Sequence, residues 1–134
     1  MIYLQTSAPA EIPSVWPLVE RMIEDALDYG TSRLSGDDVY EFLCDGTMQL
    51  WTAWDEEGIK AFCLTEVCES PRAKWLSIFA CAGENYERWV EYLSEIEAWA
   101  RELNCDFVEM YARPGWKKVL TDYRTRHVQL EKRL

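Results

Sequence analysis

An α+β fold is predicted by three observations. Apolar residues recur at helical spacing in two long stretches, 13–29 and 85–103; β-rich runs separated by polar turns fill the interval between them; and a strand, short helix and strand close the chain. In the first stretch Val15, Trp16, Val19, Met22, Ile23, Ala26 and Leu27 fall on one side and Gly30 supplies the stop. Ser35 then precedes GDDVYEFL, with Asp38 three residues on as its capping-box partner, so a second, short helix is expected up to Gly46. QLWTAW, the turn DEEG and IKAFCLTEV form an antiparallel hairpin; after the turn ESPRA, KWLSIFACA makes it a three-stranded meander. The longest helix is NYERWVEYLSEIEAWAREL, with Tyr86, Trp89, Val90, Leu93, Ile96, Ala100 and Leu103 on one side and Glu84, Glu87, Glu91 and Glu95 along another. DFVEMYA follows as a strand, PGWKKVL as a short helix with Pro where a missing N–H costs nothing, and RTRHVQLEKRL as a final strand. The predicted architecture is a mostly antiparallel central sheet flanked by helices, in a single domain spanning 1–134.

Composition narrows the function classes. The chain has 134 residues, 49% of them apolar, which is enough to bury a core without disulfides or a structural metal. No apolar run approaches the length of a membrane span, and the start MIYLQTSAPAEI has no basic region followed by an apolar one, so no membrane role and a cytoplasmic location are expected. The five cysteines are scattered without a CxxC, and His127 is the only histidine; buried thiols are expected and no metal site. A net charge of −10 would repel a phosphate backbone, which excludes general nucleic-acid binding. The charge is also uneven: residues 1–112 hold 7 Lys or Arg against 22 Asp or Glu, and residues 113–134 hold 7 against 2. Such a basic C-terminal region is suited to an acidic protein partner, including another copy of the chain, or to protecting an edge strand.

The element order, with IEAWARELNC ending the long helix and YARPGWKKVLTDY after it, resembles the GNAT N-acyltransferase superfamily. The combination of QLW, the WAREL-Cys run and RPGW is similar to small GNAT-like proteins of tailed bacteriophages and prophages. The resemblance implies acetyl-CoA as cofactor, its pyrophosphate held by backbone N–H groups of a small-residue loop at the start of the long helix. Counting back from EAWAREL, the two small positions fall on Glu87 and Trp89, with Glu84 adding a second carboxylate and Gly83 as the nearest glycine. A bulky indole and two acids suit an anionic ligand badly. The resemblance also implies a Tyr that protonates the departing thiolate; that position carries Leu120, and Tyr123 lies three residues on. The expectation is therefore a divergent GNAT-like domain with a degenerate acyl-CoA site and no cofactor, a phage or prophage accessory or virion-associated factor acting by protein binding. The alternative is an N-acyltransferase using acetyl-CoA or another acyl-CoA through a non-standard donor site.

For that alternative the candidate catalytic residues are Tyr123 as the acid and Glu66, Glu69 or Glu109 as a base working through water. Cys81, ahead of the long helix, is read as a packed strand cysteine in preference to an activated thiolate. Arg113, Trp116 and Lys117, around a Pro-Gly break, are the candidate binding surface, because an exposed aromatic beside a guanidinium can anchor a partner.

Overall fold

The structure, a computed structural model, describes residues 3–29, 33–83, 89–112, 116, 118 and 120–134; the side chains of 29, 89 and 90 lie outside this set. In chain order the elements are strand β1 (Tyr3–Ser7), a single 3-10 turn (Pro9–Glu11), helices α1 (Ile12–Tyr29) and α2 (Gly36–Cys44), and strands β2 (Met48–Asp55), β3 (Gly58–Ser70) and β4 (Ala73–Gly83). Helix α3 (Trp89–Glu102) and strand β5 (Phe107–Met110) complete them. The five strands lie side by side in sequence order; β1 to β4 are antiparallel and β5 runs parallel to β4.

Helix α1 buries Ile12, Val19, Ile23 and Leu27, a stripe at intervals that return to one side of the helix. Helix α2 begins as expected from its capping box: the Asp38 N–H donates to Ser35 Oγ and the Ser35 N–H to Asp38 Oδ2. It buries Val39 and Leu43, and the Trp16 ring meets Tyr40 edge-on to lock the two helices together. Their combined face packs on Met48, Leu50, Phe62 and Leu64 of the sheet. The opposite sheet face carries Trp51, Ala53, Ala61, Cys63, Leu76 and Ile78, and Tyr92, Leu93, Ile96 and Ala100 of α3 cover it. Strand alternation produces this division, since adjacent residues such as Phe62 and Cys63 point to opposite faces. The small side chains at 53, 61 and 63 make room on the α3 side for Trp51 and Trp99, whose rings meet edge-on at 5.5 Å.

Three features differ from the sequence reading. The chain opens with β1, which pairs with β2, so the meander is part of a five-stranded sheet. The final strand expected over 124–134 is absent: these residues are exposed and have no strand partner among the described residues. The meander also contains two irregularities. Lys60 is an extra residue opposite the step from Ala53 to Trp54, and Phe79 is an extra residue in β4 opposite the step from Leu64 to Thr65. The bulge at Phe79 explains a break in alternation, because Phe79 and Ala80 both pack toward α1 and α2. The predicted short helix over 114–120 lies largely outside the described residues.

Candidate functional site

Two places in the fold collect the chemistry-bearing residues. On the face shared with α1 and α2, strand register sets Glu66 opposite Ser77 and Ser77 opposite Glu109, giving a row of two carboxylates about a buried hydroxyl. Two interstrand spacings separate the outer backbones by about 10 Å. Trp75 Nε1 donates to Glu109 Oε1 at 3.1 Å and the Trp75 ring stacks on Phe107, which orients the Glu109 carboxylate along the sheet. The row lies just before the point where β4 and β5 part: their pairing ends at Ile78 and Met110, while β4 runs on to Gly83. A crevice beyond the carboxyl ends of parallel strands is where open sheets place ligands. Glu69 is not in the row. It sits exposed at the β3–β4 turn, paired with Lys74.

The second place is on the opposite face, beside α3. Leu120 is buried and Tyr123 half-buried against the α3-side core. The Leu120 N–H donates to the Trp116 carbonyl and the Tyr123 N–H to the Leu120 carbonyl, turns that carry Tyr123 onto the helix. There Tyr123 Oη donates to Glu97 Oε2 at 2.6 Å. A cavity of about 70 Å³ remains, lined by Leu93, Ser94, Glu97 and residues 120–123. Burial, and then the Glu97 carboxylate that accepts its hydrogen bond, push the Tyr123 phenol well above its ordinary range. Tyr123 is therefore a proton donor already committed to Glu97, and the paired strands stand between it and the Glu66–Ser77–Glu109 row.

Tyr123→Phe is expected to cost about 1–2 kcal/mol at neutral pH through the lost hydrogen bond. Because the folded phenol resists ionisation more than the unfolded one, this stabilisation is present below about pH 10 and is lost as pH rises above that value. The difference in urea midpoint between wild type and variant should accordingly narrow toward alkaline pH. A constant difference would mean that the phenol is not held protonated.

Of the proposed cofactor loop, only Gly83 has a described environment. It ends β4 at φ 153°, and a Cβ there would lie 2.3 Å from the Ala61 Cβ, so its missing side chain serves strand packing. Glu84, Glu87 and the side chain of Trp89 lie outside the described residues, as do Arg113 and Lys117. Trp116 is half-buried and packs against the α3-side core, which accounts for much of its surface by burial. Glu91 and Glu95 are exposed on the outer side of α3. Burial pushes the Cys81 thiol up to about 11, the reverse of an activated thiolate. All five cysteines are free, and the described residues hold no cluster of metal ligands.

The sequence reading did not single out Glu97, Trp75 or Ser77. Glu97 follows the buried Ile96 and stands four residues after the buried Leu93, at the border of the apolar stripe, and that position was its only signal. Trp75 and Ser77 acquire their roles from cross-strand register, which no local pattern encodes.

No protein-family model matches the chain, and no curated protein matches it by sequence. Solved structures do. An aminoglycoside acetyltransferase from an uncultured soil metagenomic sample, in complex with sisomicin, superposes with a TM-score of 0.72 at 11% identity, covering 99% of this chain and 96% of its own. A GNAT family acetyltransferase from Staphylococcus aureus gives 0.66 at 12%, covering 99% and 98%. A ribosomal-protein-alanine N-acetyltransferase from Brucella melitensis gives 0.67 at 12%, covering 100% of both chains. At such identities the likeness concerns architecture, and the architecture of this chain is the GNAT acetyltransferase fold.

Proposed function

We propose that this chain is a single GNAT-like domain that acts by binding protein and not by acyl transfer, as an accessory or virion-associated factor of a tailed bacteriophage or prophage, in the host cytoplasm or the virion. The observation that carries this reading is the filling of the α3 side. Leu120 and Tyr123 are packed on the helix, the Tyr123 hydroxyl donates to Glu97, and the cavity beside them among the described residues is about 70 Å³. Small-molecule sites run to roughly 300–1,000 Å³. The sequence supports the same reading through Glu87 and Trp89, where a pyrophosphate would need small residues, and through Glu84, which adds a second carboxylate. The likeness of QLW, the WAREL-Cys run and RPGW to small phage proteins supports the biological setting.

Calorimetric titration with acetyl-CoA at physiological salt tests it. No measurable heat of binding is expected, and a micromolar dissociation constant would overturn the reading.

One arrangement favours an acyltransferase as the second reading. The Glu66–Ser77–Glu109 row stands beside the opening of β4 from β5, where a carboxylate could take a proton from an acceptor amine through water. On that reading acetyl-CoA or another acyl-CoA would be consumed in the presence of amines, and Glu109→Gln would abolish the turnover.

A further inference from the structure

Strand β5 is the edge of the sheet, and its outer backbone groups have no partner strand among the described residues. Unpaired strand edges are templates for another strand, and chains that do not use them usually blunt them with charge, bulges or a covering segment. Here the edge is flanked by exposed aromatics, Phe107 and Tyr111, the latter 66% exposed. The only acid on β5 is Glu109, already engaged by Trp75.

The chain also carries a segment with the properties of a strand that joins no sheet among the described residues. Residues 124–134 make no backbone hydrogen bond among the described residues. Val128 and Leu130 lie fully out in solvent, at 77% and 91% exposure. In an extended conformation Arg124, Arg126, Val128, Leu130 and Lys132 share one face. That face carries no acid, and the segment as a whole holds four Lys or Arg and one Glu. Residues 1–112, by contrast, are strongly acidic.

Among the described residues the segment does not pair with its own chain's β5. It leaves the α3 layer at Tyr123, fixed there by Glu97, and by Glu131 it is 3.8 Å from Arg33, in the connection between α1 and α2 on the other face of the sheet. It passes from one helical layer to the other without pairing among the described residues. An exposed ion pair of this kind holds it only weakly, so the segment can be released to a better partner.

We infer that the β5 edge takes residues 124–134 of a second copy of this chain as an added strand, so that two copies pair reciprocally through their tails. This gives the protein-binding reading above a specific partner. The mode is strand addition, in which backbone hydrogen bonds supply affinity and alternate side chains supply register. Charge and apolar pattern select the orientation of the added strand: Val128 and Leu130 cover Phe107 and Tyr111, and Arg126 approaches Glu109 on the same sheet face. The exchange is self-complementary, since each copy gives one tail and offers one edge, and it closes as a two-fold dimer. It also places a basic segment on an acidic body twice over, offsetting the repulsion between two chains of net charge −10.

Sedimentation velocity of the full-length protein, its Leu130→Glu variant and its Arg126→Glu variant tests the inference. The wild type is expected to be dimeric at micromolar concentration. Leu130→Glu and Arg126→Glu should each weaken dimerisation roughly tenfold or more. Added salt should weaken the wild-type dimer and leave the Arg126→Glu variant less affected. Because both substituted positions are exposed, circular dichroism of the variants should match wild type. Hydrogen exchange provides the second reading: amides of β5 and of 124–134 should be protected together, and only in the dimer. A wild-type monomer, with or without a protected tail, would overturn the inference, as would a dimer indifferent to both substitutions. Acetyl-CoA binding would remove the protein-binding reading while leaving this result unchanged.

Discussion

Phe62→Ala is expected to lower the stability of the fold by about 3–5 kcal/mol, the range for emptying a large aromatic site in a core. Phe62 is 1% exposed and the largest of the fully buried side chains. It stands on β3 at the middle of the face that α1 and α2 cover, among Leu50, Leu64, Ile23 and Val19. Those neighbours belong to two strands and one helix held by register and helix packing, so they cannot close on the vacated space without moving the sheet. A domain with a total stability of about 5–15 kcal/mol would retain little of it. The urea midpoint should fall steeply with the slope unchanged. Phe62→Leu, which keeps most of the volume, should lose far less. A loss under about 1.5 kcal/mol for the alanine variant would show that the α1/α2 layer collapses onto β3 and is less closely packed than its burial indicates.

The helices and the meander were legible because each announces itself locally. The α1 stripe repeats at helical intervals, Ser35 and Asp38 cap α2 reciprocally, and DEEG and ESPRA punctuate three β-rich runs. Strand β1 was not legible: YLQTS is five residues long, with three polar side chains in succession, and only its pairing with β2 makes it a strand. The opposite failure occurred at 124–134, where alternation predicted a strand that has no strand partner among the described residues. Alternation records a face that can be buried; it does not say against what. The candidate site was legible in its residue types and not in its geometry. Glu66 and Glu109 meet about Ser77 through register across three strands. Tyr123 stood out only by its spacing from Leu120, and the sequence did not show that its hydroxyl would donate a hydrogen bond to Glu97 of α3. Nor did it show that Tyr123 and the carboxylate row would stand on opposite faces of the sheet, which separates the acid from its candidate bases.

Gly83→Ala should be the other costly substitution, and the reason bears on how β4 ends. Two separate effects combine there. The backbone sits at φ 153°, which an L side chain adopts only with strain of about 1–3 kcal/mol. The added Cβ would also come within 2.3 Å of the Ala61 Cβ, 2.6 Å of the Ala61 Cα and 2.7 Å of the Lys60 carbonyl. These are largely backbone contacts on the paired strand, so relief requires β3 or β4 to shift, adding about 1–3 kcal/mol of overpacking. Gly58→Ala isolates the first effect, since its φ is 125° and nothing lies within 4 Å of its Cβ position. Gly83→Ala is therefore expected to cost clearly more than Gly58→Ala, by about 1–3 kcal/mol in denaturant midpoints. Combining it with Ala61→Gly should recover part of the difference, because one of the three clashes disappears and two remain; the double-mutant cycle measures that share. Equal costs at positions 58 and 83 would mean that β4 moves aside freely at its end. A strand end that yields so easily could widen the gap between β4 and β5 to admit a ligand, and the packing argument against a cofactor on this side of the fold would fall with it.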